Sequence, residues 1–310
     1  MDVIFVLGGG IGNIVQATPA VQATASEGHN VDLRLHCNSS CDLDIFNLSC
    51  VRNLFVSPSK EPKIPFDYQL NGPFTPGIRL NSKHTKCSGI HYAQHIPEAN
   101  VYYDLAKQAG ITTPMPDAKI NLGNQGRIPE SNTVAIYPGS KPDWAMKRWD
   151  KYDLLAKHFK RVVVVGKKED IYSHGNPTWI KRPWDWPSHV EFFTGGLQET
   201  AYFISKCSMF VGNDGGLSHV AAATGIPTYV LFGPSSDIKN KPFSSNAHVI
   251  AINLPCRPCQ FTAGPDGKQI FGGGKYDCPV HMKCMKDMSV DFVLEEIKQY
   301  GGVYQNVVRD

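Results

Sequence analysis

With 310 residues, the chain is long enough for two α/β domains or one large one, and 42% hydrophobic with 19% charged content describes an ordinary soluble globular protein. A formal charge of +3 is too small to imply a nucleic-acid or anionic-membrane partner. No apolar run approaches the roughly 18 residues of a membrane span.

The opening MDVIFVLGGG predicts a buried parallel strand over 2–7 and not a signal peptide, so a cytoplasmic enzyme is expected. Gly8-Gly9-Gly10-Ile11-Gly12 follows at once, then a helix from Asn13 to about Ser26, with Thr18-Pro19 placed as a cap and first-turn proline. Strand, glycine loop, helix is the layout that brings backbone N–H groups towards a ligand. The spacing does not give a clean dinucleotide-binding G-x-G-x-x-G with a downstream acid. Further strands are expected over 31–37 and 53–56 with a helix over 42–48 between them, then loops over 57–86 around a strand at 67–70. A helix over 89–110 places His91, His95 and Glu98 near one face, as a solvated stripe or a functional one. The stretch 112–130, rich in Pro and Gly, reads as an interdomain linker. It divides the chain into domains 1–125 and 126–288, with a C-terminal helix and tail over 289–310.

The second domain opens with a strand over 133–137, followed by Pro138-Gly139-Ser140 and KPDWAMKRW over 141–149. A cation this close to a strand end can offset diphosphate charge, or it is a solvated basic turn. After a helix over 150–159, RVVVVG over 161–166 is a buried parallel strand, and Gly166 ends it where nucleotide-binding loops usually begin. Trp179, Trp184 and Trp186 read as core or hinge packing, with stacking on a base as the alternative. A helix over 197–206 leads to GNDGGLSHVAAATGIPTYVLFGPSS over 212–236, which is strand, glycine turn, helix and strand, the order of a parallel βαβ unit. Gly215 and Gly216 let the backbone pass close to a ligand and leave the helix N-terminus aimed at a phosphate. Asn213, Asp214, Ser218 and His219 fall near the carboxyl end of a parallel strand, where open α/β sheets place ligands.

Nine cysteines, unevenly placed, argue against a disulfide framework. Cys256 and Cys259 form a C-x2-C pair, and Cys278 with Cys284 supply a second pair from a distant loop. Four such thiolates suit one metal ion, with His281 able to replace a sulfur; unrelated reduced thiols are the alternative. The last helix, 289–300, has Ser289 as its cap and Phe292, Leu294, Ile297 and Tyr300 available for packing.

The pattern D-x-G-x-x-H-x-A-A-A-x-G-x-P, carried by Asp214, Gly216, His219, Ala221, Ala222, Ala223, Gly225 and Pro227 and followed by Leu231-Phe232-Gly233-Pro234, resembles the donor-site signature of glycosyltransferase family nine, the heptosyltransferase-like enzymes. Gly12-Asn13 with Thr18-Pro19-Ala20 resembles that family's G-D and T-P-A, and Lys147-Arg148-Trp149 its phosphate-contacting turn. Cys284-Met285, running on to Val293, resembles its C-terminal pattern. The resemblance implies an α/β, GT-B fold, two Rossmann-like domains facing across a cleft. A nucleotide-sugar donor would lie against Gly139, Ser140, Lys147, Arg148, Gly166, Asn213, Asp214, Gly215, Gly216, Ser218 and His219. A hydroxyl acceptor, on a glycan, a protein or a modified nucleobase, would lie against the first domain. The implied reaction is a single inverting displacement without a catalytic metal, with Lys147 and Asp214 at its centre.

One departure bears on mechanism. The family's base Asp is Asn13 here, and an amide cannot take a proton near neutral pH. Either a neighbour such as His91, His95 or Glu98 replaces it while Asn13 orients the acceptor, or the protein binds a nucleotide-sugar or glycan without transferring it. The four cysteines resemble the iron-binding set of the branch that glycosylates autotransporter proteins, with zinc as the generic expectation. Four protein ligands would make that site closed and structural. A sugar-nucleotide epimerase on the same fold finds no further pattern in the chain, and a zinc-ribbon nucleic-acid module is disfavoured by the slight basic excess.

Overall fold

A computed structural model of the chain describes residues 1–37, 43–57, 62–75, 77–88, 95–172, 180, 182–260, 271–272, 275–276, 278 and 280–301. Its first half runs β1 (Asp2–Gly9), α1 (Ile11–Ser26), β2 (Asn30–Cys37), a 3-10 turn (Asp44–Phe46), β3 (Val51–Val56), β4 (Phe66–Asn71), β5 (Ser82–Cys87) and α2 (Glu98–Gln108). The strands form one sheet in the order β3-β2-β1-β4-β5, parallel throughout.

The second half runs β6 (Val134–Tyr137), a 3-10 turn (Pro142–Lys147), α3 (Tyr152–Ala156), β7 (Val162–Val165), α4 (Lys168–Tyr172), β8 (Val190–Phe193), α5 (Leu197–Ile204), β9 (Met209–Asn213), α6 (Gly216–Ala223), β10 (Thr228–Leu231), α7 (Asp237–Asn240) and β11 (Ala247–Ile250). Its sheet has the order β11-β10-β9-β6-β7-β8, again parallel. A short ladder, β12 (Phe271–Gly272) with β13 (Lys275–Tyr276), precedes α8 (Lys283–Lys286) and α9 (Val290–Gln299). Each sheet starts in its middle and reverses direction there. This doubly wound order opens a crevice beyond the carboxyl ends of β1 and β4 in one sheet and of β6 and β9 in the other.

The central strands form because their residues are apolar on both faces. Val3 to Leu7 of β1, and all of β6 and β7, are buried. Each buried Val, Leu, Ile or Phe among them contributes on the order of 1.5–3 kcal/mol by leaving water. Both halves also share a core, since Ala201 of α5 and Val220 and Ala223 of α6 pack with the α1 side of the first sheet. The stretch expected to link the domains has no helix or strand. It straddles both halves: Asn121 N–H donates to Ile45 O at 2.7 Å, Lys119 N–H to Thr18 Oγ1 at 3.2 Å and Ala118 N–H to Phe243 O at 2.8 Å. Among the described residues no helix is long and apolar enough to cross a membrane.

Some expectations are corrected. Pro19 lies well inside α1, not in a first turn. Its missing N–H leaves the Val15 carbonyl short of a donor, and Thr18 Oγ1 fills that place at 2.9 Å. The helix expected over 42–48 is only a 3-10 turn, and the one expected over 89–110 begins at Glu98, with residues 89–94 outside the described ones. Strands β5, β8 and β11 were not legible because each lies at a sheet edge, where one side faces solvent and no continuous apolar run is needed. Ser289 caps α9 as expected, accepting Phe292 N–H at 3.0 Å. Trp184 and Trp186 pack against each other, Tyr152 and Phe192, as core residues; Trp179 lies outside the described residues.

Gly212 lets β9 pass the Tyr137 and Phe210 side chains, since a Cβ there would sit 2.7 Å from the Phe210 ring and 3.0 Å from Tyr137 Cβ. Gly212→Ala should lower unfolding free energy by about 1–3 kcal/mol in denaturant melts. An unchanged midpoint would show that the strand has slack.

Candidate active site

On the first-domain side the chain leaves β1 through Gly9, whose φ of +93° suits glycine, and enters α1 at Gly10. Asn13 folds back so that its Oδ1 accepts the Gly10 N–H at 2.9 Å. That fixes the amide's orientation, and Nδ2 donates to Glu98 Oε1 at 2.5 Å. Glu98 is the first residue of α2, where the helix dipole favours a carboxylate, and it is 5% exposed. Tyr102 OH, one turn on, donates to the same Oε1 at 3.4 Å. Burial, then the Glu98 charge, hold the Tyr102 hydroxyl well above the usual phenol range. His95 is exposed in the turn before α2, and His91 lies outside the described residues. The carboxylate that meets Asn13 is thus Glu98. The loop after β4 is tied to β1 by Thr75 Oγ1, which donates to Val6 O at 2.7 Å, and carries the half-exposed Phe74 ring over Gly9.

On the second-domain side β9 ends at Asn213-Asp214. The Asn213 amide is fully engaged: Oδ1 accepts from Trp149 N–H at 3.0 Å and Tyr152 OH at 2.9 Å, and Nδ2 donates to Pro138 O at 2.7 Å and Gly139 O at 3.2 Å. Ser218 Oγ donates to Asn213 O at 2.6 Å. Arg148 turns inward, donating to Ser140 Oγ at 3.1 Å, Ser140 O at 2.7 Å and Asp170 Oδ1 at 3.0 Å. Burial outweighs pairing for both ions, lowering the Arg148 pKa and raising that of Asp170. A Cβ on Gly139 would lie 2.4 Å from Asp170 Cγ, and Gly166, at φ +142°, passes the same carboxylate's Cβ. Ser140, Arg148, Asn213 and Ser218 therefore brace the strand ends from within, and Gly139 and Gly166 make room for the brace.

Lys147, the neighbour of Arg148, points the other way. Its Nζ lies 2.5 Å from Asp214 Oδ2 and over the Trp144 ring. Asp214 directly precedes Gly215, the N-cap of α6, whose first N–H groups have no partner within the helix. The α6 N-terminus abuts that of α1: a Cβ on Gly216 would sit 3.5 Å from Gly12 N, and one on Gly12 would sit 2.8 Å from the His219 ring. Sequence reasoning missed Lys239, on α7. Its only sequence signal is a lysine shortly after the LFGPSS turn that closes β10. Lys239 is 9% exposed, and burial lowers its pKa, with Glu98 and Asp214 opposing and Lys147 reinforcing. It thus senses charges from both domains. An anion placed between Lys147 and Lys239 would relieve their repulsion.

The cysteines expected to bind metal lie in one another's electrostatic field. Burial, then the charges of Cys278 and Cys256, push the Cys259 thiol up to about 11; burial, then Cys259, push Cys284 up to about 12. Cys278 Sγ accepts the Met282 N–H at 3.3 Å. Thiolates suit zinc or iron, but among the described residues no three His, Cys, Asp or Glu side chains converge to hold a metal ion. The expected ligating geometry is therefore not formed. A cavity of about 260 Å³ lined by Arg127, Glu130, Arg161, His189 and Glu191 lies at the amino ends of β6 to β8, the opposite edge from these groups.

His219 is buried with Nδ1 unpartnered among the described residues. Burial, opposed by Asp214 and reinforced by Lys147, pushes its pKa down to about 4. An unfolded histidine titrates near 6.5, so between about pH 6.5 and 4 the unfolded chain takes up a proton that the native chain refuses. Native stability should fall as pH drops through that window and level off below it. An NMR titration should find the His219 imidazole neutral down to about pH 4; titration near 6.5 would contradict the burial.

A family model described as glycosyltransferase family 9 (heptosyltransferase) matches residues 102–268, more than half of the chain. Lipooligosaccharide heptosyltransferase 2 of Campylobacter jejuni subsp. jejuni is 33% identical over 98 residues, 31% of this chain and 27% of that protein. Lipopolysaccharide heptosyltransferase 2 of Salmonella typhimurium is 43% identical over 131 residues, 40% of this chain and 37% of that protein. The chain thus spans about a quarter to two fifths of the length of these curated relatives. Among solved structures, E. coli ADP-heptose lps heptosyltransferase II superposes with a TM-score of 0.65 at 16% identity, covering 97% of this chain and 98% of that one. The dodecameric iron-containing heptosyltransferase TibC, of enterotoxigenic E. coli and in complex with ADP-D-beta-D-heptose, gives 0.66 at 16% identity, covering 96% and 75%. These likenesses identify the fold as GT-B, two Rossmann-like domains facing across a cleft. By its sequence, the chain belongs to glycosyltransferase family 9, the heptosyltransferase family.

Proposed function

We propose that the chain is an inverting glycosyltransferase, moving a sugar from a nucleotide-diphosphate sugar to a hydroxyl acceptor. The observation that carries this reading is the Lys147–Asp214 pair at the α6 N-terminus, across the cleft from Asn13 and Glu98. The donor's diphosphate lies against Lys147, Lys239 and the N–H groups of Gly215 and Gly216. Charge builds on that diphosphate as the bond to the anomeric carbon breaks, and two ammonium groups with a helix N-terminus stabilise it where it forms. Asp214 holds Lys147 in place and is free to receive donor hydroxyls once the diphosphate has drawn the ammonium away. Arg148, Ser140, Asn213 and Ser218 serve the donor through the backbone they brace. The acceptor lies on the first-domain side, where Asn13 orients its hydroxyl and Phe74 offers a ring face. ADP-heptose is the first donor to test, since solved relatives of this fold are named for it or bind it. A second reading, nucleotide-sugar binding without transfer, is favoured by one observation, the amide at position 13; turnover separates the two.

A thermal-shift screen against ADP-, GDP-, UDP- and CDP-linked sugars should show a rise of several degrees with one nucleotide. Lys147→Ala should lower kcat/KM about 100-fold or more while shifting the ligand-free melting temperature little. A Lys147→Ala protein with wild-type turnover would refute the assignment.

The proposal includes a closed structural metal, zinc or iron, on Cys256, Cys259, Cys278 and Cys284. Its support is the C-x2-C spacing and the electrostatic influence of these thiols on one another. Metal would draw the thiols together and tie the 256–259 turn to α8. Purified protein should carry about one equivalent, lost in Cys259→Ser, with a lower melting temperature after chelation. Metal-free protein that melts the same with and without chelator would remove this part.

A further inference from the structure

We infer that Glu98 is the base that takes the acceptor's proton, with Asn13 as the residue that positions it. This rests on the transferase reading above. Glu98 stands on α2, 5% exposed, beside the loop that follows β1. Asn13 Nδ2 and Tyr102 OH both donate to Oε1, at 2.5 and 3.4 Å. Among the described residues no hydrogen bond falls on Oε2. One oxygen is anchored, and the other is left to accept a proton.

The pairing also explains the amide. An aspartate at position 13 would set a second carboxylate against Glu98, and two carboxylates that close do not both ionise near neutral pH. Asn13 removes the repulsion and donates a hydrogen bond in its place. Its direction is fixed because Oδ1 is taken by the Gly10 N–H. The basic group has thus moved from α1 to α2, and the α1 side chain has become its clamp.

Among the described residues, the titratable groups that feel the Glu98 charge are Tyr102 on its own helix and Lys239 from α7, and Lys239 also feels Lys147 and Asp214. In the reaction the acceptor oxygen bonds to the anomeric carbon as the bond from that carbon to the diphosphate oxygen breaks. The electron pair leaves with the nucleoside diphosphate, towards Lys147 and Lys239. The hydroxyl proton passes to Glu98 Oε2.

The test uses the full chain with ADP-heptose and water as the acceptor, reading ADP release across pH and ADP affinity by calorimetry. Glu98→Gln, nearly isosteric, should lose at least about 100-fold in turnover with ADP affinity within about twofold of wild type. Asn13→Asp should move the acidic limb of the pH profile to higher pH, whatever its effect on the turnover maximum, because two neighbouring carboxylates then share a proton. Wild-type turnover in Glu98→Gln, or an unmoved acidic limb in Asn13→Asp, overturns the Glu98 assignment while leaving the donor site intact. A wild-type chain that binds none of ADP, GDP, UDP and CDP sinks the transferase reading, and Glu98 as its base with it; one that binds another of the four carries the same two variants to that nucleotide's sugar.

Discussion

Two helix N-termini meet in this fold, and the rest of the site depends on how closely they approach. Gly12 lies in the first turn of α1 and Gly216 opens α6, and the backbones pass at a distance that a side chain on Gly12 would block against His219. Each terminus carries partial positive charge and N–H groups without helical partners. Each also carries an acidic group within reach, Glu98 through Asn13 on one side and Asp214 on the other. The close approach brings these pairs to a common cleft and lets Lys239 feel both. Without it the chain would hold two unrelated helix termini.

The energetics separate groups that hold the site from groups that face it. Asn213 ties β9 to the Trp149 backbone, to Tyr152 and to the Pro138-Gly139 turn. Removing one partner of such a buried set leaves others unsatisfied, at about 1–3 kcal/mol each. Arg148 and Asp170 do similar work beneath Gly139, and each is disfavoured as an ion by its own burial. Rigid strand ends follow from these bonds. Lys147, one residue from Arg148, turns to the cleft, and the change from the 3-10 turn that ends at Lys147 to extended backbone at Arg148 puts brace and ligand side by side.

The βαβ core of the second domain was readable in the sequence because its information is local. Residues 212–236 hold strand, turn, helix and strand in one unbroken stretch, and the small residues of α6 announce close helix packing. The relation of Asn13 to Glu98 was open because 85 positions separate them, and three groups near one helix face could have filled the same place. The inward turn of Arg148, Ser140, Asn213 and Ser218 could not be read either. Polar residues at a strand end brace the turn or contact a ligand with the same letters, and only packing tells which. Lys239 was missed for the converse reason: it sits on a four-residue helix with no periodicity, and its importance lies in what other elements bring to it.

The most direct test is an experimental structure of the chain with ADP. The diphosphate should lie at the Gly215 and Gly216 N–H groups, with its terminal phosphate within hydrogen-bond distance of Lys147 Nζ. Nucleotide bound elsewhere, for example in the arginine-lined cavity at the amino ends of β6 to β8, would contradict the placement of the donor between the two helix N-termini.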